Sequence, residues 1–252
     1  MQIHSRGDED ETAGRAQLAS AATLVIGCPL STAQPAASEH LPAELLKISS
    51  HAPEPHLIEY AAGFIERGSV IGIPTDTFYG LSADPFNLSA IERVFQVKGR
   101  PETRALPILV GSVEQAVTLA RDIPDAFLAL ANKFWPGPLT LVVEATHRLP
   151  LKVTGNSGHV ALRWPDSAIA TALIEAAGGP VTGTSANLSG HPSCTNARQI
   201  VEQLGDRLPL ILDSGDTGAT LASTIVRVDE EEWYVVREGV LPESELKKAF
   251  DS

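Results

Sequence analysis

HLIEYAAGFIERGSVIGIPTDTFYGL, residues His56 to Leu81, reads as a helix, its stop, a buried strand and a polar turn in succession. Leu57, Ile58, Ala61, Phe64 and Ile65 recur at the three- and four-residue spacing of one helix face. Gly68 closes that helix, because a residue without Cβ enters the left-handed backbone region at no steric cost. Ser69 to Ile73 is then a short apolar run of strand length. After it, Pro74-Thr75-Asp76-Thr77-Phe78-Tyr79-Gly80-Leu81 releases two threonine hydroxyls and a carboxylate together. That is the carboxyl end of a strand, where open α/β sheets bind ligands. The same side chains could instead satisfy their own backbone in an Asx or Ser/Thr turn.

Downstream, the pattern repeats in varied form. A helix is expected from about Leu88, with Ile91, Val94 and Phe95 on one face and Gly99 as its stop. Leu106 to Val110 is strand-like, Ser112 with Gln115 forms a capping box for a helix through Ala120, and another helix spans Pro124 to Phe134. Strands follow at Leu139 to Glu144 and Val160 to Arg163, then a helix from Ser167 to Ala177 and a strand from Pro180 to Thr184. A helix from Asn196 to Leu204 precedes strands at Leu210 to Asp213, Ser223 to Val228 and Trp233 to Arg237, and Pro242 opens a last short helix. Helices and strands that alternate early, with strands bunched late, predict an α/β fold: one mixed sheet with helices packed on it. Residues 1–55 lack periodicity and read as a disordered extension, so the domain is expected over residues 56–252.

Composition narrows the function. Hydrophobic content of 43% with 20% charged residues is ordinary for a packed domain. The net charge of −12 argues against a general polyanion binder, whose affinity comes from Lys and Arg displacing counterions. The two cysteines, Cys28 and Cys194, have no C-x-x-C spacing, and His147, His159 and His191 show no metal spacing, so no structural zinc site or disulfide framework is expected. Val25-Ile26-Gly27-Cys28 is like a lipoprotein cleavage box, but Asp8, Glu9, Asp10 and Glu11 make the leading region acidic where a signal peptide needs cations. With no apolar run near the ~18 residues of a membrane helix, a cytoplasmic protein without membrane contact is expected.

Neither a G-x-x-x-x-G-K-[ST] loop nor a G-x-G-x-x-G fingerprint is present, so any nucleotide must be held in another way. Lys98-Gly99-Arg100-Pro101, with Arg104, puts three cations within seven positions at a helix end. Dipole compensation would explain one of them at about 0.3–1 kcal/mol; three together repel unless an anion such as a polyphosphate bridges them. Thr182-Gly183-Thr184-Ser185-Ala186-Asn187-Leu188-Ser189-Gly190 packs hydroxyls, an amide and glycines into one loop that can approach adenine, ribose or phosphate closely, although turn formers share that composition. Arg163 and Arg237 each end an apolar strand, placed for a carboxylate or phosphate or simply for solvent.

In chain order these motifs, together with Phe134-Trp135-Pro136-Gly137-Pro138-Leu139-Thr140, Val160 to Pro165 and Ala222-Ser223-Thr224-Ile225, resemble the YrdC family over about Leu57 to Val240. The chain is similar to its short, single-domain members. The resemblance implies a twisted, open α/β sheet around a deep, positively charged cavity. It also implies L-threonylcarbamoyladenylate synthesis, a nucleotidyl transfer from ATP with L-threonine, bicarbonate and Mg²⁺. The product would pass to a threonylcarbamoyl transferase complex that modifies tRNA. On this resemblance Thr77, Arg163, Gly183 and Ser223 match threonine positions, and Lys98, Arg100, Arg104, His159, Ser185, Asn187, Ser193 and Arg237 match ATP positions. Arg104 stands where many members carry Asn, Leu109 where some carry His, and His159 where Thr is frequent.

Chemistry of this kind needs alignment and neutralised charge more than covalent help. Lys98 and Arg100 are the expected neutralising groups, Arg163 the expected clamp on the threonine carboxylate, and no side chain stands out as a general base. Two rivals remain. One is a catalytically idle module that binds double-stranded RNA or tRNA by shape, with steep salt dependence. The other is carbamoyl transfer from carbamoyl phosphate, for which the cysteines and length of the related multidomain proteins are missing.

Overall fold

The computed structural model describes residues 42–230 and 232–250. Eleven strands and eight α-helices are found among them: β1 Glu44–Lys47, α1 Pro55–Glu66, β2 Ile71–Ile73, β3 Gly80–Ser82, α2 Leu88–Lys98, β4 Ile108–Leu109, α3 Val113–Val117, α4 Asp125–Phe134, β5 Leu139–Glu144, α5 Leu151–Thr154, β6 His159–Arg163, α6 Ala168–Ala176, β7 Val181–Thr182, β8 Thr184–Ser185, α7 Ala197–Leu204, β9 Leu210–Asp213, β10 Thr224–Val228, β11 Trp233–Arg237 and α8 Glu243–Lys247.

Local chemistry accounts for the helices. Pro55 starts α1 at a position whose N–H has no helical partner in any case. Gly68, at φ 76°, ends it, with Gly68 and Ser69 donating back to the carbonyls of Ile65 and Phe64. Ile58, Ala61, Ala62 and Ile65 form its buried face. Asn87, Ser112, Ser167 and Asn196 each accept a hydrogen bond from the backbone N–H three residues on, capping α2, α3, α6 and α7. At α3 the box is open on one side, because Gln115 Oε1 accepts from Gly111 N, at 2.8 Å, and not from Ser112 N.

The strands form two mixed sheets, ordered β1-β9-β2-β3-β8 and β11-β10-β5-β6-β4-β7, where one had been expected. The division turns on Gly183. The strand predicted from Pro180 to Thr184 is in fact β7, antiparallel to β4 in the six-stranded sheet, and β8, antiparallel to β3 in the five-stranded one. A Cβ on Gly183 would sit 2.4 Å from Leu109 Cγ, so only glycine fits where the chain changes sheets.

The expected boundary at residue 56 needs correction. Glu44 to Lys47, assigned to the extension, pair in parallel with Leu210 to Asp213. β1 is an edge strand whose side chains are largely exposed, with only Leu46 half-buried, so no hydrophobic alternation announces it. The acidic leading region and Val25-Ile26-Gly27-Cys28 lie outside the described residues. Among those described, no helix is long and apolar enough to cross a membrane.

Candidate active site

A cavity of about 430 Å³ opens beside the Gly183 crossover and takes its walls from both sheets and from the end of α2. Lys98, Arg100, Arg104, Arg163 and Arg237 all line it, and among the described residues no Asp or Glu does. Positive charge is therefore focused in one place on a chain of net charge −12.

Gly99 adopts the left-handed conformation at φ 58°, so Lys98 is the last residue of α2 and Arg100 leaves it at a sharp angle. Lys98 does not cap its own helix, since Arg207 Nη1 takes that role on Val97 O at 3.0 Å. The Lys98 ammonium is buried and donates instead to Ser185 O, Asn187 O at 3.0 Å and Asn187 Oδ1 at 3.1 Å. Burial, and then the neighbouring Arg100 charge, push its pKa down to about 8. Arg100 reaches Thr184 Oγ1 at 3.1 Å and Ala105 O at 3.0 Å, and its Nε is buried with no hydrogen-bond partner. Burial and the nearby Arg104 lower the pKa of this guanidinium. Among the described residues neither Lys98, Arg100, Arg104 nor Arg237 has a carboxylate partner. For the buried Lys98 the lack of a counter-ion is costly, and the orphaned N–H of Arg100 adds to the cost.

At the other end, Arg163 is buried and held on three sides. Its Nε donates to Gly137 O at 3.1 Å, Nη1 to Thr77 Oγ1 at 2.8 Å and Nη2 to Asp76 Oδ1 at 2.5 Å. One N–H on each Nη is left over, enough for a carboxylate fork. Thr75 Oγ1 accepts from Thr77 N and donates to Phe78 O, so Thr77 must donate its own hydroxyl proton to Thr75 and accept from Arg163. The polar turn is therefore both an internal hydrogen-bonded turn and a wall of the site. Arg237 donates to Ser223 O at 2.8 Å, and Ser223 Oγ pairs with Thr140 Oγ1 at 2.8 Å. Burial first, then the Arg163 charge, lower the Arg237 pKa.

Thr77, Lys98, Arg100, Arg104, Arg163, Gly183, Ser185, Asn187, Ser193, Ser223 and Arg237 are brought together as expected. His159 is not. It begins β6 while Arg163 ends it, some 13 Å apart at about 3.3 Å per residue. Its Nε2 lies 2.7 Å from Arg227 Nη2 and its Nδ1 2.8 Å from Ser157 O, so both ring nitrogens are spent on structural contacts. Asn187 changes role: its Nδ2 donates to Leu188 O and His191 O and its Oδ1 accepts from Ser185 and Lys98, so its side chain shapes the loop. Thr184, Thr140 and Leu109 also line it. Thr184 and Thr140 find their partners, Arg100 and Ser223, 84 and 83 residues away, a pairing that no local spacing shows.

The tight fit at Gly183 gives a direct check. Gly183→Ala is expected to lower stability by about 1–3 kcal/mol through overpacking against Leu109. Adding Leu109→Ala should recover part of that loss in chemical denaturation, since the two changes share one volume.

The Sua5/YciO/YrdC family model, described as "Telomere recombination", matches residues 63–239. The threonylcarbamoyl-AMP synthase of Pyrococcus abyssi is 40% identical over 193 residues, 77% of this chain and 57% of that protein. The chain thus spans little more than half of that relative's length. The threonylcarbamoyl-AMP synthase of Vibrio campbellii is 32% identical over 177 residues, 69% of this chain and 95% of that protein. In three dimensions the crystal structure of P. abyssi Sua5 complexed with L-threonine aligns with a TM-score of 0.79 at 38% identity, covering 82% of this chain and 61% of that one.

Proposed function

The chain belongs to the Sua5/YciO/YrdC family, and we propose that, like the threonylcarbamoyl-AMP synthases it matches, it joins L-threonine, bicarbonate and ATP into threonylcarbamoyl-AMP and pyrophosphate. One observation carries this reading above the others: the half-buried Arg100, its buried Nε orphaned beside the equally uncompensated Lys98, in a cavity that no carboxylate among the described residues lines.

Bicarbonate loses hydroxide to give CO₂, and the amine of threonine adds to its carbon and releases a proton, which leaves with the hydroxide as water, giving a carbamate. A carbamate oxygen then attacks the α-phosphorus, the bond from that phosphorus to the bridging oxygen breaks, and pyrophosphate leaves with the electron pair. Lys98, Arg100 and Arg104 face the accumulating negative charge; the spare N–H groups of Arg163 hold the threonine carboxylate. Two fixed clamps at opposite ends of one cavity align nucleophile and phosphorus, and alignment of this kind removes about 7–11 kcal/mol of entropic barrier at best.

Magnesium fits this site only as part of the substrate. The lining supplies hydroxyls and carbonyls but no carboxylate, so the donors of a resident Mg²⁺ site are missing and the ion would enter on the phosphate oxygens. A role in tRNA modification follows from the product, which a separate transferase complex would consume in the cytoplasm. Duplex RNA has less to hold: the cations are inside a cavity of about 430 Å³, not spread along a face.

The test is a purified full-length chain incubated with ATP, threonine and bicarbonate, the nucleotide product being identified by mass. Threonylcarbamoyl-AMP that disappears when either threonine or bicarbonate is omitted is the expected result. Pyrophosphate release indifferent to threonine overturns the proposal.

A further inference from the structure

Asp76 stands outside the cavity lining, behind Arg163, with its carboxylate 2.5 Å from Nη2 and its side chain only 14% exposed. It is the only carboxylate paired with any of the five cavity cations among the described residues. The charges around the cavity are consequently uneven. Lys98, Arg100 and Arg104 present three uncompensated positive charges at one end. Arg237, matched to an ATP position on the resemblance, lies close enough to Arg163 for that charge to lower its pKa, and the two present a single net charge once Asp76 is counted.

Deepening the reading proposed above, and resting on it, we infer that Asp76 is a positioning and specificity-determining residue: it fixes the Arg163 fork and holds that end of the cavity at the charge of one carboxylate, which keeps phosphate out. Three acceptors on three nitrogens leave the guanidinium a single orientation. With the Asp76 charge removed, the fork could rotate, and Arg163 with Arg237 would form a dicationic pocket suited to a phosphate dianion. A triphosphate in a cavity lined by cations at both ends needs a device of this kind, because either end could otherwise take either anion.

The experiment uses the full chain, with binding of L-threonine followed by calorimetry in the absence and presence of inorganic phosphate. Phosphate leaves the parent's threonine affinity without competitive loss. Asp76→Asn is expected to weaken threonine binding about tenfold or more, to leave ATP affinity within about twofold, and to make phosphate compete with threonine. Unchanged threonine affinity without phosphate competition overturns the inference, as does an equal loss for threonine and ATP with a lowered melting temperature. Should Asp76→Asn fail to fold, Asp76→Glu decides: it keeps the charge and moves the fork, so threonine weakens while phosphate stays non-competitive, and phosphate competition there overturns the inference. A parent that binds no threonine at all defeats the functional reading itself, which separates the two failures.

Discussion

Arg100→Ala is expected to lower kcat/KM for ATP about 10³-fold while the protein stays folded. The side chain is half-buried and its two existing contacts are to Thr184 Oγ1 and Ala105 O, neutral acceptors that water can satisfy once the guanidinium is gone. What is lost is a pre-oriented cation whose Nε has no protein partner and whose charge is opposed only by other cations. Removing one fixed donor from developing negative charge typically takes 10²–10³ from the rate, and removing an arginine from phosphoryl transfer about 10³–10⁵. Arg100→Lys should recover only part of the loss, because an ammonium cannot form the planar fork. Steady-state kinetics with melting curves checks this. Near-parental kcat/KM in the alanine variant would remove Arg100 from the phosphate site.

The second large effect is in the pH dependence and belongs to Lys98. With the folded pKa pushed down to about 8 from the usual 10.5, the free protein loses this charge just above neutrality. If only the ammonium form holds the triphosphate, ATP affinity falls as pH rises through about 8, approaching tenfold per pH unit beyond it. Stability moves in the opposite sense. Between about 8 and 10.5 the unfolded chain keeps a proton that the folded chain has released, so this group adds stability as pH rises through that window and withdraws it as pH falls back through 8. Lys98→Met should abolish both trends. It should also lower activity by at least the Arg100→Ala factor, because Ser185 O and Asn187 O lose their shared donor and the loop loses its shape along with the charge. ATP affinity that is flat from pH 7 to 9.5 in the parent would contradict the assignment.

Local signals carried most of the fold. Gly68 and Gly99 take the positive φ their helix ends require, and Asn87, Ser112, Ser167 and Asn196 cap where capping chemistry places them. β5 begins and ends where its apolar run does. Edges and crossings were not legible. β1 is held by backbone pairing to a strand over 160 residues away and hides almost nothing, and β3 is three residues of a run that also reads as a turn. Nor could a run of five residues show that Gly183 divides it between two sheets. At the site, residue type and order identified the cations, but pairing did not follow from spacing. Arg163 finds Asp76 across 87 positions, and Asn187 spends its amide on its own loop. His159 lay on the right strand at the wrong end.

Gly183 alone separates Thr182, which pairs with Ile108, from Thr184 and Ser185, which cradle Arg100 and Lys98. On the proposed function, the wall that would hold the amino acid and the wall that would hold the nucleotide therefore share a spacer one peptide long.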